Sequence, residues 1–221
     1  MLAWSVGYER DLHSKQSQRG RAVMRGVRLR VRKRSGRPNF VPGTGSTRTQ
    51  CLADNVRILG LDPGSLKTGY AVLECAGGRI VYLASGAIKT TSVEFPRRLA
   101  EIFEGVAQLI AQYAPQEVAV ERAFMHRNAD SALKLGQARG AALCATFAVR
   151  PQIYEYAPRE VKLAVVGTGS AQKEQVQLMV KQLLKLEGSI GPDAADALAM
   201  ALCHAHSRRM QAMMTRAAGS L

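Results

Sequence analysis

Four carboxylic acids stand in unusual surroundings in this 221-residue chain. Asp62 closes the apolar run VRILGLD and Glu121 closes EVAVE, while Asp193 and Asp196 open GPDAADALAMAL, a run otherwise made almost wholly of Ala, Leu and Met. Three residues advance an α-helix by about 300°, so Asp193 and Asp196 share nearly one face. Asp196 continues into Ala199, Met200 and Cys203, the stripe expected to be buried. An acid on such a stripe must be paired, protonated or bound to a metal. Singly, each acid has a plain structural explanation. Asp193 after Pro192 complements a helix dipole, Asp62 before Pro63-Gly64 is a turn aspartate, and Glu121 pairs with Arg122. Four acids without an equal set of buried bases weaken that explanation when taken together. An oxygen-only set suits Mg²⁺ or Mn²⁺. Two such ions about 3.5 to 4 Å apart activate a water and stabilise the leaving oxygen in phosphodiester cleavage. The chemistry predicted is that of a metal-dependent nuclease or a related phosphoryl-transfer enzyme.

The elements that must position these acids are readable from periodicity. VRILGLD, KTGYAVLEC and RIVYLASGAIKT read as a three-stranded meander. FPRRLAEIFEGVAQLIAQYA places Leu99, Ile102, Phe103, Val106, Leu109 and Ile110 at helical spacing, and Pro115 ends that helix. EVAVE is a short buried strand. A helix follows from about Ala129 to Phe147, then a strand at QIYEY, helices at Pro158 to Val166 and Ser170 to Leu186, and a last helix opened by Pro192. The order β-β-β-α-β-α-β-α-α-α makes the class α/β, a mixed sheet flanked by helices. Strand ends are where such folds commonly build their sites, and Asp62 and Glu121 stand at two of them.

Charge and cysteines narrow the setting. The formal charge is +14, but residues 1 to 50 hold twelve Lys and Arg against Glu9 and Asp11, a balance of +10. The rest of the chain carries only +4 and is mildly basic. The segment RGVRLRVRKRSGR and the PNFVPGTGSTRTQ that follows show no sustained helix or strand period and read as disordered. Cys51, Cys75, Cys144 and Cys203 are scattered without a CxxC pair, which argues against a zinc site and a disulfide framework and points to a reducing cytosol. No apolar run approaches the roughly 20 residues of a membrane span.

ILGLDPGSLKTGYAV, VAVERAFMHRNADSALKLGQARGAA, YEYAPREVKLAVVGTGSAQKEQV and GPDAADALAMALCHAH together resemble the RuvC crossover junction endonuclease family, the bacterial Holliday junction resolvases. The resemblance runs from Val56 to about His206 and implies a ribonuclease H-like mixed five-stranded sheet flanked by helices. It further implies a Mg²⁺-dependent homodimer, two ions per active site, that nicks opposite strands of a four-way DNA junction symmetrically in recombination and repair. A branch-migration helicase complex is the partner the family implies, and the compartment is cytoplasmic. The family's catalytic and metal-binding acids fall on Asp62, Glu121, Asp193 and, as fourth member, Asp196. The implied domain plan is a disordered basic extension over 1–55, a nuclease domain over 56–207 and a C-terminal tail over 208–221. Family members begin essentially at the first strand, so much of residues 1 to 55 is expected to be a gene-start artefact, with an added DNA-binding arm as the alternative.

The resemblance also gives roles to residues that composition leaves ambiguous. Phe124 resembles the family's aromatic that meets unstacked junction bases, a contact worth about 1 to 3 kcal/mol; without the family it would be a packing Phe. Lys162 and Lys173 correspond to basic residues that meet the DNA backbone near the scissile site. Lys173 falls in a helix first turn, where the dipole disfavours a cation and a phosphate would compensate. Arg127, Lys134 and Arg139 are weaker candidates for phosphate contact. Ala132, Gly136 and Gly140 lie at helical spacing and leave a face for close approach, by a second protomer or by the chain's own sheet. His204 and His206 lie too far along the last helix to join the acids and are expected to be structural or exposed. Two other readings compete. Ribonuclease H and transposase relatives share the carboxylate logic, and GLDPGSLKTGYA also resembles the phosphate loop of actin-like and sugar-kinase phosphotransferases, which need a second comparable domain.

Overall fold

The computed structural model describes residues 55–122 and 128–218. Strands β1 (Val56–Asp62), β2 (Lys67–Ala76) and β3 (Arg79–Lys89) form the meander, turning at Gly77 and Gly78, whose positive φ values make the tight reversal between β2 and β3. Helix α1 (Phe95–Tyr113), β4 (Glu117–Glu121), α2 (Ala129–Thr146), β5 (Gln152–Tyr156), α3 (Pro158–Val166), α4 (Lys173–Leu183) and α5 (Pro192–Ala218) follow. A single 3-10 turn, Phe147–Val149, joins α2 to β5. The mixed sheet runs in the order β3-β2-β1-β4-β5, with β1 antiparallel to β2 and parallel to β4, and β4 parallel to β5.

Alternation along the central strands decides what faces what. Leu59 and Leu61 of β1 and Val118 and Val120 of β4 enter one core with Ile102, Val106 and Leu109 of α1 and Ala138 and Ala142 of α2. Ile58 and Ala119 point the other way, into a core with α3, α4 and α5. With a side-chain period of two, Asp62 falls on the face of Ile58, and Glu121 on the face of Ala119. Both acids therefore look towards α5. The parallel register sets Leu61 beside Val120, so the two acids close neighbouring strands at the same sheet edge.

The composition of α5 explains its place. From Ala194 to Ala205 almost every residue is buried, because the helix is wedged between the sheet and α3 and α4. Its many alanines permit a very close approach. A Cβ on Gly60 would lie 2.2 Å from the Ala197 carbonyl oxygen, so β1 needs glycine where α5 crosses it.

Three expectations from sequence shift in detail. Phe103 lies half out of α1's buried stripe, 44 % exposed, because the stripe continues through Ile102, Val106, Leu109 and Tyr113. α4 begins at Lys173 rather than at Ser170, since Ala171 N–H bonds back to Thr168 in a turn and the Gln175 side chain accepts from Gln172 N–H at the helix start. α5 continues to Ala218, so most of the expected tail over 208–221 is helix, its first turn anchored by Arg208 on Glu117. The expectation for residues 1–54 lies outside the described residues. Among the described residues no helix is long and apolar enough to cross a membrane. Cys75, Cys144 and Cys203 are free thiols.

Candidate active site

The carboxyl ends of β1 and β4, the start of α5, α3 and the start of α4 surround one cleft of about 260 Å³. Asp62, Glu121 and Asp196 line it together with Lys162 and Lys173, and Pro158, Val161, Val176, Ala199 and Met200 supply an apolar wall. β1 and β4 are parallel neighbours whose next strands, β2 and β5, lie on opposite sides of them, and α/β sheets form ligand crevices at the carboxyl ends of such strands.

Asp62 is held beside α5 by two local features. The turn after it is tied by the Thr68 hydroxyl, which donates to the Gly64 carbonyl at 3.1 Å. Its cross-strand partner is Gly69, and a Cβ there would lie 2.1 Å from the Asp193 carbonyl oxygen. The bare glycine lets the first turn of α5 rest against β2 next to Asp62.

The acids lie close enough to act on one another's charge. Burial pushes the Asp62 carboxyl up to about 7, the negative charges of Asp196 and Glu121 and, less strongly, of Asp193 add to it, and only Lys173 opposes them. Lys173 donates from Nζ to Asp196 Oδ2 at 2.6 Å, a bond that holds the ammonium protonated above the usual lysine range. The cleft thus carries more negative than positive charge, on oxygen donors, against a partly apolar wall.

Asp193 stands apart from the other three. It is half-buried and contributes to the field at Asp62, but it does not line the cleft, whereas Asp196 does. Among the described residues no three acids, histidines or cysteines converge into a ready coordination shell. The donor set nevertheless suits a hard divalent cation: it is all oxygen, its mutual repulsion is only partly neutralised, and a lysine ammonium already acts as stand-in cation at Asp196.

The comparisons with known proteins decide the family. The model of the family described as crossover junction endodeoxyribonuclease RuvC matches residues 58–204. The chain belongs to the RuvC family. A curated RuvC from Shewanella piezotolerans is 55% identical over 163 residues, covering 74% of this chain and 94% of that one. The structure of T. thermophilus RuvC in complex with Holliday junction substrate is 36% identical, with a TM-score of 0.66, covering 71% of this chain and 97% of that one. The yeast mitochondrial Holliday junction resolvase, 12% identical with a TM-score of 0.55 over 76% of this chain and 86% of its own, shares the fold. The α/β architecture with its five-stranded sheet is that of the RuvC family, as the resemblance implied.

Within this RuvC fold the remaining candidates separate clearly. Lys162 on α3 and Lys173 at the start of α4 flank the acids on the cleft wall. Phe124 and Arg127 lie outside the described residues, just after β4. Lys134 is engaged with Asp130 at 2.6 Å on the surface of α2. Arg139 pairs with Glu155 and donates from Nε to the Glu121 carbonyl at 3.3 Å, so it braces the end of β4.

His204 is structural, as expected, but its setting was not foreseen. It is buried, hydrogen-bonded to Glu117 Oε2 at 2.7 Å and to the Tyr156 hydroxyl at 2.6 Å, with Arg208 also on Glu117 at 2.8 Å. Burial would raise the Glu117 carboxyl, but the His204 hydrogen bond and the Arg208 charge outweigh it and hold it below the usual range. Sequence reading missed Glu117. The available signal was EVAVE itself, whose alternation puts Glu117, Ala119 and Glu121 on one face towards α5.

Proposed function

We propose that this chain is a crossover junction endodeoxyribonuclease that resolves four-way DNA junctions in recombination and repair by metal-dependent phosphodiester hydrolysis. The observation that carries the reading is the placement of Asp62, Glu121 and Asp196 around one cleft at the carboxyl edge of β1 and β4, with the charge of Asp193 acting on Asp62. Family membership supplies the substrate class, because the matching relatives are named for that activity.

Asp62, Glu121, Asp193 and Asp196 would hold Mg²⁺, or Mn²⁺ in its place, two ions to a site. When bound, the ions would polarise the phosphate and lower the pKa of an attacking water. The residues themselves do the rest. The carboxylates would fix where the ions sit, Lys162 and Lys173 place positive charge on the cleft wall to meet a phosphate backbone, and Val161, Val176 and Met200 keep part of that wall apolar. In hydrolysis the water oxygen forms a new bond to phosphorus, the phosphorus bond to the leaving sugar oxygen breaks, and that oxygen takes up a proton. Phe124, Arg127 and the two lysines form the proposed DNA contacts.

The face of α2 supports a homodimer. A Cβ on Gly136 or Gly140 would meet nothing within 4 Å among the described residues, and Leu133 and Phe147 on the same helix and its end are exposed. Two sites related by a two-fold axis match the symmetry of a four-way junction and give paired nicks. A cytoplasmic location and cooperation with a branch-migration helicase complete the reading.

The test is a substrate panel in Mg²⁺: a synthetic four-way junction, linear duplex of the same sequence and an RNA-DNA hybrid. Nicks confined to the junction support the reading. Equal or faster cutting of the hybrid would make the protein a ribonuclease H-type enzyme instead.

A further inference from the structure

Lys173 is the first residue of α4, the helix end at which the backbone dipole disfavours a cation. Its charge is offset by acids: Asp196 directly, at 2.6 Å, and Asp62 and Asp193 through the field of the cleft. The ammonium is therefore bonded to the one α5 carboxylate that lines the cleft, and among the described residues the acids do not converge into a coordination shell.

We propose that Lys173 is an intrinsic counter-ion of the metal site: it holds Asp196 while no metal is bound and must release that carboxylate before Asp196 can act as a ligand. The inference rests on the metal-site reading above. Three features make the exchange feasible. The pair is partly solvated, with the lysine side chain 55 % and the aspartate 30 % exposed, so breaking it costs about 1 kcal/mol or less. A lysine is a point charge on a flexible stem, and it can leave a single carboxylate oxygen without losing a bidentate fit. Its place on the cleft wall lets the freed ammonium turn to an incoming phosphate instead. Repulsion among the acids is then relieved both before and after metal entry, by two different cations. The consequence is that metal affinity is lower than the carboxylates alone would give.

A salt bridge that persists in the metal-bound protein forecasts that Lys173→Met loses stability with metal as well as without it, so DNA-free metal binding read together with thermal unfolding separates the two. Mn²⁺ and Mg²⁺ are titrated calorimetrically into the full chain as wild type, Lys173→Met, Lys173→Arg and Asp62→Asn. The expected result is metal binding about twofold to fivefold tighter in Lys173→Met than in wild type, the range corresponding to loss of an exposed competing ion pair. Lys173→Arg is expected to bind no more tightly than wild type. Thermal unfolding without metal should show Lys173→Met at a lower Tm than wild type, and added Mn²⁺ should restore it. If Lys173→Met fails to fold, Lys173→Gln serves as the second variant with the same forecast. Unchanged or weaker metal binding in the folded variant overturns the role of Lys173 alone. Wild type that binds metal no better than Asp62→Asn overturns the metal-site reading, and this proposal with it.

Discussion

The carbonyl oxygen of Asp193 occupies the space that a side chain on Gly69 would fill, 2.1 Å from the position of its Cβ. Gly69 is also the strand partner of Asp62, so one missing methyl group joins the first turn of α5 to the first catalytic candidate. Gly69→Ala must push α5 or β2 aside, because the obstacle is backbone rather than a flexible side chain. Overpacking of this kind costs about 1 to 3 kcal/mol. Chemical denaturation should show that loss, and junction nicking should fall further than stability does, since Asp193 and Asp196 move with the helix.

A second prediction concerns the acids of α5. Both are half-buried near the helix start, so Asp193→Asn and Asp196→Asn should fold and still bind junction DNA. Nicking should drop by more than about 100-fold in each, beyond the loss typical of residues that only support a metal's ligands. Gel-shift and cleavage assays on the same preparations check this; lost binding in Asp193→Asn would give that residue a structural role.

Asp62 predicts how stability depends on pH in the absence of metal. Its carboxyl is raised to about 7 in the fold, so its favourable contribution is complete below the ordinary value of 3.8 and is lost as pH rises towards 7 and past it. Asp62→Asn removes that dependence. With EDTA present, the variant should melt above wild type at pH 8, and the gap should narrow towards pH 4. Thermal melts across that range measure it.

The opposite sign holds at Glu117. Its carboxyl is lowered by His204 and Arg208 against the effect of burial, so its contribution is present above the ordinary glutamate pKa and disappears as pH falls through the lowered value. Glu117→Ala leaves His204 buried without its acceptor and Arg208 without its partner; breaking a buried pair in this way costs about 3 to 5 kcal/mol. Glu117→Gln should lose less and should flatten the acid limb of the stability curve, as read from denaturation midpoints between pH 3 and pH 6.

Much of this was legible in the chain because the signals are local. The alternation in VRILGLD and EVAVE fixes which strand faces turn to α5, and the spacing of Asp193 and Asp196 fixes their shared helical face. What escaped is set by contacts between distant segments. Glu117 reads as an ordinary strand-opening acid until His204 and Arg208, far along the sequence, arrive beside it. Gly69 reads as a loose strand residue until α5 crosses it. In the fold Asp196 lines the cleft, while Asp193 acts on Asp62 through its charge. Helix spacing places both on one face but cannot say how that face is rotated against the strand ends.

Cleavage of a labelled four-way junction by wild type and Asp62→Asn, each with Mg²⁺ or EDTA, shows whether the acids around Asp62 form the metal site of a junction-cutting enzyme. Wild type in Mg²⁺ should give paired nicks on opposite strands, with none in EDTA or in the variant, and the variant should still bind the junction. Nicking that persists in EDTA, or at the wild-type rate in Asp62→Asn, would contradict that assignment of the acids.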